Sequence, residues 1–337
     1  MRALLSITIG LLLISCQTER KVNKFLQGDA FGTSYSIIYN APVEEDLIRV
    51  GVDSVIHAFN KSVSTYDPES LISKLNAGDT TVVVDEIFKE VFFMSKTVYE
   101  NTDGYFDPTV GALRNAYGFG EEERTVSLNQ QMLDSLMTMV GFDKLHFKDN
   151  NTIGKEHPLI YLDFNAIAKG YGVDRIAVFL ESLGVSNYLV EIGGELYGSG
   201  INPERNAPWS VGIEGVESEL GDRSYTHTVS LQNAGMAASG NYRKFKVDPV
   251  TGKKFVHTIN PLTGSAEQTD VTSATVIAES CALADAYATA FMAMGLEKSK
   301  MVLDNVEGVQ AYLTYLEENS DEERGYATPG MKLLLAD

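Results

Sequence analysis

Cysteine is scarce in this sequence, which has two cysteines, Cys16 and Cys281, among 337 residues. Cys16 belongs to the N-terminal segment treated below, so Cys281 has no partner within the chain for a disulfide bond. Its neighbours Ser280 and Ala282 are small, which favours buried packing for this thiol over chemistry. Stability must therefore come from an ordinary core, and a hydrophobic content of 44% can supply one.

Positive charge is also in short supply, with 27 Lys and Arg against 46 Asp and Glu. The formal net charge of −19 and the pI near 4.7 predict repulsion from nucleic acid and from anionic lipid. The sequence has no Walker-type glycine loop, so it gives no support to a nucleotide kinase or an ATPase. It also has no internal repeat and no second long hydrophobic run after the first.

The one hydrophobic run lies at the N-terminus. Met1 and Arg2 precede an apolar stretch, residues 3–14, which is shorter than a membrane-spanning helix and ends in Leu-Ile-Ser-Cys. This pattern predicts a lipoprotein signal peptide over residues 1–15, lipidation of Cys16 and a short lipidated tether over residues 16–24. An ordinary signal peptide with an incidental cysteine, or an uncleaved anchor, would explain the same pattern. We expect an exported protein, lipid-anchored to a bacterial membrane and facing the periplasm, with one functional domain over residues 25–337.

Short strand patterns alternate with amphipathic helix patterns through that domain, which predicts a mixed α/β (α+β) fold. Asp85 is expected to cap a helix, and Gly184 and Gly295 to end two others. The predicted strands cover residues 34–39, 185–192 and 271–278, with a partner strand that starts at Glu195 after Gly193-Gly194. The predicted helices cover residues 44–60, 85–100, 166–183 and 280–294.

Two polar or glycine-rich segments interrupt this alternation. Residues 64–70 describe a turn leading into a short helix over residues 71–76, and alone they indicate no more than a capped helix start. Residues 102–120 interleave glycines with aromatic residues, which suits a loop whose backbone approaches a flat ligand while rings cover its faces. An aromatic-packed structural loop would have the same composition.

A strand-to-helix junction at residues 163–171 carries two charged candidates. Asp163 ends the strand, and Lys169 is expected in the first turn of the helix, beside backbone amides that attract anionic oxygens. The junction therefore suits a phosphate group. Asp163 or Asn165 acting as a plain helix cap is the simpler explanation of the same residues.

Asp285 and Thr289 are four residues apart in a predicted helix, so their side chains share one helical face. A carboxylate and a hydroxyl with carbonyl oxygens nearby form an oxygen-only set suited to a hard cation such as Mg²⁺, which keeps waters and shares phosphate oxygens. A single carboxylate in a helix is also common as a capped or paired residue.

His257 ends a strand just before the Pro/Gly turn of residues 260–264, and a histidine at such a loop edge can act as a general base near neutral pH. The other four histidines have less distinctive surroundings, and surface or packing roles are expected for them: His57, His146, His157 and His227.

Together these segments resemble the FAD:protein FMN transferases, the ApbE-like family, whose motifs recur here in the family's order. The resemblance runs from about Phe31 to the last helix, and many members of the family are lipoproteins. It implies a two-lobed ApbE-like fold with the flavin site between the lobes. The matching segments are Phe31-Gly32-Thr33, Ser64-Thr65-Tyr66, residues 104–111, residues 163–171, residues 257–264 and residues 284–289.

The resemblance also implies roles for individual residues, with FAD as a substrate and Mg²⁺ as the metal. The family usually has Met where this chain has Phe31, and both side chains can cover a ring. His257 would be the base. The implied flavin contacts are Phe31, Tyr66, Tyr105, Phe106, Asp107, Asp163, Lys169 and Ile259. The implied metal ligands are Asp285, Thr289 and the main-chain oxygens of Ala166 and Ala288.

The activity that the resemblance implies is transfer of FMN from FAD to a Thr or Ser hydroxyl of an acceptor flavoprotein, with release of AMP. The expected acceptors are flavin-carrying subunits of membrane redox complexes of the RNF or sodium-translocating NADH:quinone reductase (NQR) type. A FAD pyrophosphatase that releases FMN and AMP would use the same residues. A flavin-binding lipoprotein without chemistry is a further alternative, although it would need neither a metal nor a base.

Overall fold

The computed structural model describes residues 22–120, 128–215, 225–241, 245–247, 252, 254–317 and 322–336. The predicted signal peptide and the lipidation site Cys16 lie outside these residues. Lys24, which the sequence assigns to the tether, is the first residue of a strand and pairs with Tyr39. Across the described ranges, no helix combines the length and the apolarity needed to cross a bilayer.

Strands and helices alternate along the described chain, as the sequence predicts, and the mixed α/β fold class is confirmed. The two-lobed arrangement stays a prediction. The strands are β1 Lys24–Ala30, β2 Thr33–Tyr39, β3 Leu145–Phe147, β4 Ile153–Lys155, β5 Tyr188–Ile192, β6 Glu195–Ser199, β7 Trp209–Glu214, β8 Tyr225–Leu231, β9 Ala234–Gly240, β10 Phe245–Val247, β11 Lys254–Val256, β12 Val271–Ala278, β13 Gln310–Leu316, β14 Glu323–Ala327 and β15 Leu335–Ala336. The helices are α1 Glu45–Val63, α2 Leu71–Asn76, α3 Glu86–Asn101, α4 Gly111–Ala116, α5 Gln130–Met137, α6 Asn165–Ser182, α7 Cys281–Met294, α8 Leu296–Asn305 and α9 Pro329–Leu334, with a 3-10 turn at Phe142–Lys144.

The central feature is an eight-stranded sheet in the order β1-β2-β5-β6-β9-β12-β13-β14, in which every neighbouring pair is antiparallel. Alternating side chains of its strands enter different layers, as the period of two requires. In β2, Tyr35 and Ile37 are buried against α1 and α6, while Ile38 packs on the opposite side of the sheet.

That opposite side is covered by a small sheet in the order β15-β8-β7. Its apolar residues, centred on the buried Trp209, pack against Met236 of β9 and Ile277 of β12. The central sheet is therefore sandwiched between a helical layer and a β layer, which fixes strands β6, β9 and β12 under helices α6 and α7.

Helices α6 and α7 approach each other closely at Gly170 and are tied together by Asp174. The two carboxylate oxygens of Asp174 accept hydrogen bonds of 2.8 Å from the backbone N–H groups of Cys281 and Ala282, at the start of α7. These are donors that a helix cannot satisfy itself. Burial raises the pKa of Asp174 to about 7, although both amides oppose the shift. The contact aligns the first turns of the two helices, where the candidate site lies.

The local signals predicted the helix ends well. Asp85 caps α3 by accepting a hydrogen bond of 2.9 Å from Phe88 N–H, and Gly184 follows α6 with φ of +77°. Cys281 is fully buried, as its small neighbours suggested. One position was wrong: α6 begins at Asn165, so Lys169 lies at the start of the second turn and not in the first.

Candidate active site

Asp285 lies on the buried face of α7 and is 4% exposed. Its Oδ2 accepts a hydrogen bond of 3.1 Å from the backbone N–H of Gly170 in α6. Its other oxygen makes no hydrogen bond to the residues that the structure describes. Burial raises the pKa of Asp285 to about 6, while the charge of Lys169 and the Gly170 amide act in the opposite direction. One carboxylate oxygen thus has acceptor capacity that the described residues do not use.

The backbone carbonyl oxygen of Ala166 is a second candidate ligand atom. In a regular helix the N–H of residue 170 bonds to the carbonyl of residue 166, and here the Gly170 N–H also donates to Asp285. The carbonyl of Ala166 therefore shares its usual donor with the Asp285 carboxylate. A carbonyl oxygen with spare lone pairs beside a carboxylate is a suitable ligand for a hard cation.

Thr289 lies one turn beyond Asp285 in α7, with the backbone of Ala288 just before it. Its hydroxyl is half-buried and lies 3.5 Å from the hydroxyl of Ser239 at the end of β9. Three or more His, Cys, Asp or Glu side chains do not converge anywhere in the described part of the chain in the way that a metal cage needs. An oxygen set of one carboxylate, one hydroxyl and two carbonyls fits Mg²⁺, because that ion keeps several waters and binds substrate phosphates.

Lys169 pairs with Glu195, the first residue of β6, which was predicted as the start of a strand but not as a site residue. Burial alone would lower the pKa of Lys169, but the carboxylates of Asp285 and Glu195 outweigh it, and the pKa is raised. Burial, reinforced by Asp285, raises the pKa of Glu195 above its ordinary value, while the charge of Lys169 acts in the opposite direction. The structure thus brings Lys169 and Asp285 together and adds a second buried carboxylate, while Ala166 lies in the first turn of the helix that carries Lys169. The only sequence signal for Glu195 is its place directly after the Gly193-Gly194 turn.

A second group of predicted residues meets through an arginine that sequence reasoning also missed. Arg114 of α4 donates to Asp163 Oδ2 at 2.8 Å and to the hydroxyl of Tyr66 at 3.0 Å. Asp163 also accepts from the N–H of Asn165 at 2.8 Å, so it does support the start of α6. Tyr66 remains 60% exposed. Arg114 therefore links two predicted flavin contacts, Tyr66 and Asp163, from distant segments of the chain. The ring of Tyr66 stays accessible to a ligand.

Buried side chains hold the glycine-aromatic loop of residues 102–120 in place. Both oxygens of Asp107 accept hydrogen bonds from the chain: Oδ1 from the amide and hydroxyl of Thr109, and Oδ2 from the amide of Phe142 at 3.1 Å. Burial raises the pKa of Asp107 to about 6, although these hydrogen bonds lower it. Phe106 is 2% exposed and belongs to the main core, while Tyr105 is half-buried with the ammonium of Lys298 5.1 Å from its ring centre.

Phe31 and Ile259 also pack into the interior. Phe31 lies in the β1–β2 turn with φ of +52°, and its ring centre is 4.6 Å from that of Phe59. Ile259 is 6% exposed and packs in a small cluster with Leu113 and Tyr117. In the structure these two side chains serve mainly hydrophobic packing.

His257 follows β11 directly and is half-buried. The next residue, Thr258, donates a hydrogen bond of 3.0 Å to the buried Asn241, which follows β9 directly. The loop is fixed at its far end by Tyr117, whose hydroxyl donates 2.9 Å to the carbonyl of Gly264. The histidine segment and the glycine-aromatic loop are thus joined.

The other histidines lie where surface or packing roles were expected. His57 is exposed, His146 is bonded to Glu156 at 3.0 Å, His157 accepts from the Leu159 amide at 3.2 Å, and His227 lies 3.2 Å from the hydroxyl of Tyr312.

Known proteins share this architecture, and their sequences align with most of this chain. The profile of the ApbE family matches residues 31–313. A protein of Haemophilus influenzae named FAD:protein FMN transferase is 32% identical over 327 residues, covering 94% of this chain and 93% of the relative. A protein of the same name from Escherichia coli K12 is 30% identical over 294 residues, covering 86% and 82%.

Solved structures agree with this match. The flavin transferase ApbE from Vibrio cholerae aligns with a TM-score of 0.82 at 30% identity, covering 93% of this chain and 99% of that one. The ApbE protein of Thermotoga maritima aligns with a TM-score of 0.82 at 26% identity, covering 94% and 100%. Fold and site define a mixed α/β protein of the transferase class. The chain belongs to the ApbE family.

Proposed function

We propose that this chain is an Mg²⁺-dependent FAD:protein FMN transferase, which moves FMN from FAD to a hydroxyl of an acceptor protein. One observation supports this most strongly. The buried Lys169 and Asp285 interact with each other where α6 meets α7, and the hydroxyl of Thr289 lies one turn further along α7. An ammonium and a partly unused carboxylate near a hydroxyl suit a pyrophosphate bound with a divalent cation. The names of the relatives supply the substrate, FAD.

The cation would be held by the carboxylate of Asp285, the hydroxyl of Thr289 and the backbone oxygens of Ala166 and Ala288. It would offset negative charge on the pyrophosphate oxygens. Lys169 would contact the same oxygens as a point charge. The remaining flavin contacts are proposed to be Phe31, Tyr66, Tyr105, Phe106, Asp107, Asp163 and Ile259.

The proposed reaction is a phosphoryl transfer with a protein nucleophile. The hydroxyl oxygen of an acceptor Thr or Ser forms a bond to the phosphorus on the FMN side, the pyrophosphate P–O bond breaks, and AMP leaves. His257 accepts the proton of the attacking hydroxyl as general base. Its place at a loop edge after β11 suits a group that must meet a second protein.

We further propose that the enzyme is exported and lipid-anchored through Cys16 to a bacterial membrane, on its periplasmic side. Residues 1–16 support this by their charge, length and final cysteine. An anchor at the membrane surface brings the enzyme close to acceptor subunits of membrane redox complexes of the RNF or NQR type.

The test is to incubate the purified protein with FAD, Mg²⁺ and a candidate acceptor subunit, and to follow two products. Flavin fluorescence that stays on the acceptor in a denaturing gel, together with AMP, supports the transferase. AMP and free FMN without a labelled acceptor would show a FAD pyrophosphatase. Bound FAD with neither product would show a flavin carrier, and the proposed function would be wrong.

Replacing His257 with glutamine is expected to lower the transfer rate by about 10²–10⁴-fold, the usual contribution of a general base. FAD binding, measured by equilibrium dialysis, should change little, because the proton is removed only during attack. His146→Gln is the matched control, since His146 is exposed and bonded to Glu156. An unchanged transfer rate in His257→Gln would remove the proposed base.

A further inference from the structure

Glu195 is a buried carboxylate for which the proposed reaction has no role. The residue is 2% exposed, at the start of β6 and directly after the turn that joins β5 to β6. One oxygen, Oε1, pairs with the ammonium of Lys169. The other, Oε2, is buried and has no hydrogen-bond partner among the residues that the structure describes. A charged group is costly to bury in this way, so its presence calls for an explanation.

The explanation lies in the surroundings of Lys169. Among the described residues, two carboxylates raise its pKa, Asp285 and Glu195. The ammonium forms its ion pair with Glu195, while Asp285 is bonded to the Gly170 amide and its other oxygen makes no hydrogen bond within the described part of the chain. The ammonium therefore interacts with both carboxylates, but it is in contact with Glu195, which is not a proposed metal ligand.

We propose that Glu195 is a positioning residue that holds the ammonium of Lys169 away from Asp285, which leaves Asp285 available to a divalent cation. The inference rests on the proposed function, because it concerns the same cation and the same pyrophosphate. A buried ammonium without Glu195 would take Asp285 as its partner, since an unpaired buried charge is strongly unfavourable. The ion pair formed in that way would compete with the cation for the carboxylate.

Glu195→Gln is the direct test, because glutamine keeps the volume and an acceptor oxygen but removes the charge. Binding of Mn²⁺, an ion that prefers the same oxygen ligands as Mg²⁺, is measured by electron paramagnetic resonance on the purified protein without FAD. The expected result is a loss of Mn²⁺ affinity of about 10–100-fold, typical for a residue that supports a metal ligand. Glu191→Gln is the matched control, because Glu191 bonds to Ser36 and to the Gly194 amide, outside this cluster.

A double variant distinguishes positioning from a direct effect on the metal. In Lys169→Met the competing ammonium is absent, so adding Glu195→Gln should change Mn²⁺ affinity by less than about threefold, as expected when the partner of an interaction is already gone. A full loss in that background would mean that Glu195 acts on the cation directly, and the positioning role would be wrong. The double variant removes both buried charges, so its folding does not depend on the pair.

The outcomes for the wild-type protein separate this inference from the proposed function. If the wild type binds Mn²⁺ and labels the acceptor while Glu195→Gln behaves like the wild type, only the positioning role is overturned. If the wild type neither binds Mn²⁺ nor labels the acceptor, both proposals are wrong. Thermal unfolding of each variant confirms that a lower affinity reflects the site and not loss of the fold.

Discussion

Replacing Asp285 with asparagine is expected to lower FMN transfer by at least about 10²-fold, the scale on which a charged group that stabilises a phosphoryl-transfer transition state acts. Asparagine has nearly the same shape and can still accept from the Gly170 amide, so the helix contact is retained. It removes the negative charge that would hold the cation. The measurements are AMP release and acceptor labelling, with Mn²⁺ binding followed alongside.

The same substitution is expected to leave the protein at least as stable as the wild type at pH 8 without a divalent cation. The folded-state pKa of Asp285, raised to about 6 by burial, lies above the unfolded value. Its contribution to stability is therefore full below about pH 4 and is lost as the pH rises through about 6. At pH 8 the wild type bears the cost of a buried charge that Asp285→Asn does not have.

Loss of activity with unchanged or higher thermal stability would thus identify Asp285 as a functional residue rather than a structural one. Asp304→Asn, an exposed position on α8, is the control for removing one negative charge from an acidic chain. Full transfer by Asp285→Asn would contradict the metal assignment. A large drop in unfolding temperature at pH 8 would contradict the account of the buried charge.

Features that depend on a few neighbouring residues were predictable from the sequence. The cap of α3 by Asp85 needs only a carboxylate three residues before a backbone amide. The pairing of Asp285 with Thr289 on one face needs only the helical period. The error for Lys169 is of the same local kind. The helix α6 begins at Asn165, one residue before the predicted start, and this shift places Lys169 in the second turn.

The partners of these residues were not predictable, because they come from distant strands. Glu195 reaches Lys169 only because β6 lies between β5 and β9 in the sheet, an order that the hydrophobic pattern does not reveal. Arg114 joins Tyr66 to Asp163 across 48 and 49 positions of sequence. The composition of residues 102–111 allowed either a ligand-binding loop or a structural one. The loop has a buried part at Asp107 and a half-buried side chain at Tyr105.

Gly170→Ala is expected to destabilise the fold by about 3 kcal/mol, at the upper end for overpacking, and to abolish Mn²⁺ binding. A Cβ at this position would lie 2.3 Å from the carbonyl oxygen of Cys281 and 2.8 Å from the Cα of Ala282. Backbone atoms cannot rotate away, so α6 and α7 would have to separate. That movement would break the bond from the Gly170 amide to Asp285 and the contacts of Asp174 with the start of α7.

Gly51→Ala provides the comparison, because it is the same change inside a helix, but the added Cβ would meet a side chain there and not backbone atoms. The added Cβ would lie 1.9 Å from the end of the Phe179 ring, a half-buried side chain that can turn aside. Alanine also gains about 1 kcal/mol of helix propensity at both positions. Urea unfolding should therefore show a small change for Gly51→Ala and a large loss for Gly170→Ala. Equal midpoints would mean that α6 and α7 can separate cheaply, and the close approach at Gly170 would not be what fixes Asp285 at the site.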